Sequence, residues 1–107
     1  MQASYYAVIF TSTLKEPHHG YEDMAIQMHD LAIKQEGFLG YESARQDLGI
    51  TVSYWSSLEA IANWKRNAAH QLAQNEGRNQ WYRTYRVRIC KVEREYGFGE
   101  GEVERHA

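Results

Sequence analysis

The stretch VSYWSSLEAIANWKRNAAHQ, residues 52–71, contains the change of period that decides the fold. Residues Val52 to Trp55 are mainly β-branched and aromatic, which favours a strand. From Ser56 onward apolar side chains recur at helical spacing, and Ser56 with Glu59 has the spacing of a capping box at a helix start. The stretch therefore predicts a strand that leads directly into a helix. The predicted buried side of that helix consists of Leu58, Ile61, Ala62, Lys65, Ala69 and Leu72.

The segments on either side predict three more strands and one more helix. YYAVIFTSTL, residues 5–14, predicts a strand, and apolar residues at helical spacing from Tyr21 predict a helix that Gly37 closes as its C′ residue. FLGYESAR and GITVSYW flank QDLG as two strands of a hairpin. After the loop NEGRNQ, the segment WYRTYRVRICKVEREY predicts a long final strand. Its two faces carry Tyr85, Val87 and Ile89 on one side, and Arg86, Arg88, Cys90 and Val92 on the other.

The resulting order β-α-β-β-α-β predicts an α+β, ferredoxin-like sandwich. In that fold a four-stranded antiparallel sheet carries two helices on one face. The domain is expected over residues 1–96, and the glycine-rich, acidic residues 97–107 are expected to form a loose tail. Because the strands carry large apolar side chains on both faces, a second copy of the chain is expected to cover the second face.

Composition excludes several classes of protein. The 107 residues are 43% hydrophobic and 24% charged with a net charge of −2, which fits one globular domain that binds no nucleic acid. One cysteine, Cys90, excludes an internal disulfide and every multi-cysteine metal site, and no metal site is expected. No apolar run approaches the ~18 residues of a membrane span. The N-terminus lacks a signal-peptide pattern, so a cytoplasmic protein that binds no membrane is expected.

Two segments, ITVSYWSSLEAIANWK and QWYRTYRVRICKVEREY, together with EGFLGYESAR ahead of them, resemble the antibiotic biosynthesis monooxygenase family. The main resemblance is Trp55 closing a strand and Trp64 inside the next helix, and it extends from about residue 5 to residue 96. It implies a homodimer whose two sheets pack face to face as an α/β barrel. It also implies a monooxygenase that uses oxygen without metal, flavin or haem on an electron-rich phenol or quinol.

Such chemistry needs an apolar pocket, a proton acceptor and hydrogen bonds to an enolate-like anion. Asn63 and Trp64 are candidate donors, and Arg86 or Arg88 is a candidate for holding a phenolate. Histidine is the residue type most often used as a general base near neutral pH, so His70 is the candidate base. Each of these candidate residues also has a structural alternative. Trp64 suits a core or cavity wall. Asn63 and His70, seven residues apart, share the solvent side of a continuous helix unless it breaks near NAAH.

Aromatic residues make up 13% of the chain, which suits either a lined cavity or a generous core. The candidate substrate-binding residues are Tyr54, Trp55, Trp81 and Tyr85. For Trp55, the position at a strand end favours packing over substrate binding. The alternative to an enzyme is a non-catalytic dimeric barrel that binds a small hydrophobic ligand.

The family's haem-degrading branch is less compatible with the sequence. In that branch an asparagine on the first strand, a tryptophan on the second helix and a histidine late in that helix act together. Trp64 matches the tryptophan, but the other two positions fall near Phe10 and Gln74. His70 lies about one turn too early to replace the histidine. Haem is therefore not an expected ligand, and the expected partners are an aromatic substrate, oxygen and a second copy of the chain.

Overall fold

Four antiparallel strands form one sheet, and both helices pack on the same face of it. The computed structural model describes residues 2–74 and 81–99. The predicted loop at residues 75–80 and the predicted tail beyond residue 99 lie outside the described residues. The elements are β1 (Gln2–Leu14), α1 (Tyr21–Ile33), β2 (Phe38–Arg45), β3 (Gly49–Trp55), α2 (Leu58–Gln74) and β4 (Tyr82–Arg94). The strand order is β2-β3-β1-β4, which confirms the predicted ferredoxin-like arrangement.

Strand pairing divides the side chains of the sheet between two faces. In an antiparallel pair, residues directly opposite each other project to the same side. Tyr6 lies opposite Trp55, and both contribute to the core beneath the helices. We call this side the helix face and the other side the outer face. Ala7 and Ile9 alternate with these core residues along β1, so they lie on the outer face.

The core joins β1, β2, β3 and α2. Trp55 is 0% exposed, and its ring packs edge-on against Phe38 with 5.3 Å between centroids. Trp64 of α2 stacks on the other side of Trp55, with centroids 5.9 Å apart and planes 22° apart. The buried core cluster comprises Val8, Phe38, Trp55, Ala60 and Ile61. This aromatic packing fixes α2 over β3.

The start of α2 differs from the prediction by one residue. The helix begins at Leu58, and the amide of Ala60 donates a 3.0 Å hydrogen bond to the Ser57 hydroxyl oxygen. Ser57 is therefore the N-cap residue, because its side chain satisfies an amide that the helix leaves without a partner. The predicted capping box of Ser56 and Glu59 is wrong.

The buried side of α2 also differs from the prediction. Ile61 is buried as predicted, but Leu58 is 55% exposed, and Ala62, Lys65 and Ala69 are exposed as well. The predicted burial of Leu72 falls on a side chain outside those that the structure describes. Up to that point, the side that faces the sheet includes Ser57, Ala60, Ile61, Trp64 and Ala68. These residues follow an i, i+3, i+4, i+7, i+11 pattern. The large indole of Trp64 reaches Trp55 only in this rotation of the helix, and this contact replaces burial of Leu58.

The prediction that Gly37 closes α1 is wrong. The helix ends at Ile33 and Lys34 is its C-cap residue, so Gly37 lies three residues farther along. Gly37 has a φ of +90°, and a Cβ atom at this position would lie 2.6 Å from the Cβ atom of Ala60. The glycine is therefore needed for the close approach of the α1–β2 turn to α2.

Strand β4 lies at the edge of the sheet, and the helices leave its helix face open. The predicted division of its side chains is confirmed, because Val87 and Ile89 pair with Phe10 and Val8 of the helix face. Since α1 packs on β2 and α2 on β3, Tyr85, Val87 and Ile89 remain 42%, 48% and 52% exposed. We call Phe10, Tyr85, Val87 and Ile89 the open strip. No helix of the described residues is long and apolar enough to span a membrane.

Candidate functional site

Trp64 lies between α2 and the sheet. It is partly buried and packs against the core cluster, where it stacks on Trp55. The indole of Trp55 donates a 2.9 Å hydrogen bond to the hydroxyl oxygen of Ser53. Trp55 is therefore fully occupied by packing and by its own hydrogen bond. Trp64 is the member of the pair that retains exposed surface on the helix face.

Asn63 and His70 lie on the exposed surface of α2. The side-chain oxygen of Asn63 accepts a hydrogen bond from Arg66, one turn later. The helix continues without a break to Gln74, so nothing turns His70 towards the sheet. The structure therefore does not bring these two candidates together with Trp64.

Arg86 and Tyr54 lie on the outer face. Arg86 is opposite Thr11 and borders a shallow pocket of about 300 Å³ with Thr11, Leu48 and Thr84. The Tyr54 hydroxyl donates a 2.7 Å hydrogen bond to Glu42 Oε1. Burial, with a smaller contribution from Glu42, raises the pKa of Tyr54 to about 12. The sheet therefore separates Arg86 and Tyr54 from Trp64.

Trp81 and Tyr85 have different environments although both were predicted to bind substrate. Trp81 is buried, and its indole donates a 2.9 Å hydrogen bond to the carbonyl oxygen of His19. It fastens the loop before α1 to the start of β4. Tyr85 is partly exposed on the helix face and stacks on Phe10, with ring centroids 5.8 Å apart. Tyr85 thus belongs to an accessible surface, whereas Trp81 belongs to the interior.

A second aromatic cluster lies at the Tyr85 end of the open strip. Tyr82 contacts Phe10, Tyr85 and Tyr21, with centroids 5.6, 5.8 and 5.9 Å away. Burial, followed by the neighbouring Tyr21, raises the pKa of the Tyr82 phenol far above its ordinary value. A hydrogen bond with Tyr21 also contributes to this rise in pKa, so the phenols of Tyr82 and Tyr21 are linked within the cluster.

Arg45, at the end of β2, completes this cluster. Its guanidinium donates a hydrogen bond to the hydroxyl oxygen of Ser12 and a 3.3 Å hydrogen bond to the carbonyl oxygen of Ser12. The guanidinium carbon lies 5.3 Å from the centroid of the Tyr21 ring, within cation–π range. Ser12 is only 1% exposed. A positive charge is therefore held firmly on the helix face beside aromatic rings.

Residue patterns did not indicate the Arg45 cluster. Ser12 and Arg45 are 33 positions apart, so no local spacing joins them. One signal was present in the predicted hairpin, because Gly49 stands directly opposite Arg45. A glycine opposite a long side chain leaves room for that side chain to lie flat on the sheet.

The chain is similar to known proteins in sequence as well as in fold. The sequence profile described as antibiotic biosynthesis monooxygenase matches residues 4–76 of the chain. YqjZ, an uncharacterized protein of Bacillus subtilis strain 168, is 49% identical over 98 residues, covering 90% of this chain and 86% of that protein.

Solved structures share the fold at low sequence identity. SnoaB, a cofactor-independent oxygenase from Streptomyces nogalater, superposes with a TM-score of 0.70 at 11% identity, covering 87% of this chain and 97% of its own. MhuD, solved with two manganese protoporphyrin IX molecules per active site, gives a TM-score of 0.65 at 17% identity, covering 87% of this chain and 99% of its own. These two structures show the shared fold. The profile match over most of the chain confirms the resemblance seen in the sequence: the chain belongs to the antibiotic biosynthesis monooxygenase family.

Proposed function

We propose that the protein is a monooxygenase that oxidises a small aromatic or quinol-like metabolite with molecular oxygen, without a cofactor, as a homodimer. Family membership supports the class of reaction. The observation that carries the proposal is the open strip, an accessible aromatic and apolar surface on the same face of the sheet as Trp64. Such a surface suits a flat, electron-rich ring system.

The reaction balances without a further reductant. When a substrate carbon that bears two hydrogens becomes a carbonyl, one atom of O₂ enters the substrate. The other atom leaves as water with both hydrogens, so the substrate supplies all four electrons. The protein has to orient the ring, keep water away and stabilise the anion that reacts with oxygen.

The proposal assigns ring contacts to Trp64 and Tyr85, which both have surface on the helix face. Asn63 and His70 are exposed on α2, and Arg86 lies on the outer face. If these three residues have the predicted catalytic roles, the substrate must bind away from the open strip. Turnover by variants of the three residues therefore distinguishes a substrate bound near them from one bound on the open strip.

Oxygen consumption tests the proposal. A panel of anthrones and quinols is added to the purified protein in an oxygen electrode, and we expect at least one member to be consumed at a protein-dependent rate. Trp64→Phe should lower kcat/KM about tenfold, because the smaller ring loses part of the stacked surface. Lys65→Gln, a change at the exposed neighbour, is the matched control. If no compound causes oxygen uptake, the proposed reaction is wrong. If Trp64→Phe turns over substrate at an unchanged rate, the proposed site is wrong.

The alternative function is a non-catalytic barrel that binds a small hydrophobic ligand. The half-exposed side chains of the open strip support this alternative as well. A surface that only binds an aromatic ligand needs the same apolar and aromatic contacts as one that binds an aromatic substrate. Saturable binding of a compound that is never oxidised in air would favour the alternative.

Haem degradation is a further alternative within the family, since the MhuD structure contains a bound metalloporphyrin. The asparagine and histidine positions of the haem-degrading pattern fall near Phe10 and Gln74, which are neither asparagine nor histidine. Without that histidine we expect no axial ligand and no new Soret band when haem is titrated into the protein. A stoichiometric Soret shift would reopen this alternative.

A further inference from the structure

We propose that Arg45 is the anion-binding residue of the open strip. It would hold an acidic oxygen of a planar aromatic ligand, as a phenolate, enolate or carboxylate, while the rings lie against Phe10 and Tyr85. The inference deepens the proposed function and rests on it for taking this ligand to be the substrate. Anion binding itself can be measured without any turnover.

The guanidinium is held in place before any ligand arrives. Ser12 accepts from it through both its hydroxyl and its carbonyl oxygen. Gly49 lies beneath the side chain, and a Cβ atom there would collide with the Arg45 guanidinium. Ser12, Gly49 and the ring of Tyr21 thus fix the long side chain flat on the sheet. A fixed donor group loses little conformational entropy on binding.

Within residues 4–71 and 81–99, whose side chains the structure describes, the ion pairs within 4.0 Å involve histidines and not Arg45. The side chain is half-buried, so water screens the charge less than on an open surface. A half-buried cation that lacks a carboxylate partner is a favourable site for an anionic ligand.

The ring-binding surface and the cation are adjacent. Ser12 pairs directly with Tyr85 across β1 and β4, so the Ser12-bound guanidinium lies about one inter-strand spacing, roughly 5 Å, from the open strip. The ring of Tyr82 contacts both Tyr21 and Tyr85. A ligand ring on Tyr85 would bring a substituent oxygen towards Arg45. The combination selects a ligand that is flat, apolar and anionic at one edge.

Two probes that differ only in charge test the inference. 2-Naphthoate is an anion at neutral pH, and methyl 2-naphthoate has the same ring without the charge. By calorimetry, the full-length protein should bind the naphthoate about tenfold more tightly than the ester, as expected for one charge-assisted contact. Arg45→Gln should abolish this preference and leave affinity for the ester nearly unchanged. Arg94→Gln, at the far end of β4, is the matched control.

Gly49→Ala tests the same inference without removing a charge. Its φ is not in the left-handed region and the three atoms nearest to the added methyl group all belong to the Arg45 guanidinium, so the fold should persist while the guanidinium is displaced. We expect a several-fold loss of naphthoate affinity with unchanged circular dichroism. Equal affinity of the wild type for both probes, absence of binding up to millimolar concentration, or an undiminished preference in Arg45→Gln would overturn the inference. A preserved preference without oxygen consumption by any quinol would instead overturn the proposed function alone.

Discussion

At the scale of single residues, the two tryptophans Trp55 and Trp64 lie in different environments. Trp55 and Trp64 stack on each other, yet Trp55 is fully buried while Trp64 keeps some exposed surface. The difference arises because Trp55 ends a strand beneath a helix, whereas Trp64 approaches from that helix. Trp55 should therefore determine stability, and Trp64 should determine what the surface binds.

Truncation of Trp55 should be far more destabilising than truncation of Leu58. Trp55→Ala removes a fully buried indole and should lower the free energy of unfolding by about 3–5 kcal/mol. Leu58→Ala changes an exposed side chain and should stay within about 0.5 kcal/mol. Urea denaturation of both variants measures the difference. Comparable losses would mean that Leu58 is buried in the protein in solution.

Tyr82 should make the folded state sensitive to alkaline pH. Its pKa is raised by burial, so the unfolded chain releases the phenolic proton at a lower pH than the folded chain. The stabilisation is complete below the ordinary tyrosine pKa of about 10 and is lost as the pH rises beyond it. Tyr82→Phe should therefore show a smaller fall in unfolding free energy between about pH 9 and about pH 11 than the wild type.

Tyr96→Phe is the control for this titration, because Tyr96 is almost fully exposed. Its alkaline denaturation profile should match that of the wild type. If Tyr82→Phe and Tyr96→Phe behave alike, the Tyr82 phenol is not protected by the fold.

At the scale of elements, local sequence determined the strands better than the helix orientation. FLGYESAR and GITVSYW coincide with β2 and β3, because alternation and hairpin chemistry are both local signals. The buried side of α2 is shifted by one residue from the predicted side, which corresponds to a rotation of about 100° about the helix axis. Its orientation depends on Trp64 meeting Trp55, and that contact is only established when the elements pack. The Arg45–Ser12 contact joins separate strands and is non-local in the same sense.

The N-cap of α2 can be tested directly. Ser57→Ala removes the acceptor for the Ala60 amide and should lower the free energy of unfolding by about 1 kcal/mol. Ser56→Ala should change it little, because the contact of Ser56 with Gly37 is made through its backbone amide. Thermal denaturation of the two variants would contradict the assignment if Ser56→Ala were the more destabilised.

At the scale of the whole molecule, the outer face carries apolar residues between charged edges, and we propose that a second copy of the chain covers it. One row across the sheet reads Glu42, Val52, Ile9 and Arg88 from β2 to β4. The apolar residues lie in the middle, and opposite charges lie at the two edges. A two-fold axis parallel to the strands would place β4 of one copy over β2 of the other. Arg88 would then meet Glu42 of the second copy.

Charge exchange tests this arrangement. We expect a dimer in sedimentation at micromolar concentration, and Arg88→Glu should weaken it at least tenfold by opposing like charges. The double variant Glu42→Arg, Arg88→Glu should recover much of the lost affinity. A stable folded monomer of the wild type at micromolar concentration would refute the homodimer.

The accessibility of the Cys90 thiol reports whether the outer face is covered. The chain has one cysteine, it is exposed in the single chain, and it lies in the row formed with Ala7 and Tyr54. A second copy on this face would shield the thiol, so alkylation could proceed only through dissociated chains. The labelling rate of the unmodified protein should then rise on dilution, which makes subunit exchange measurable by mass spectrometry without any introduced probe.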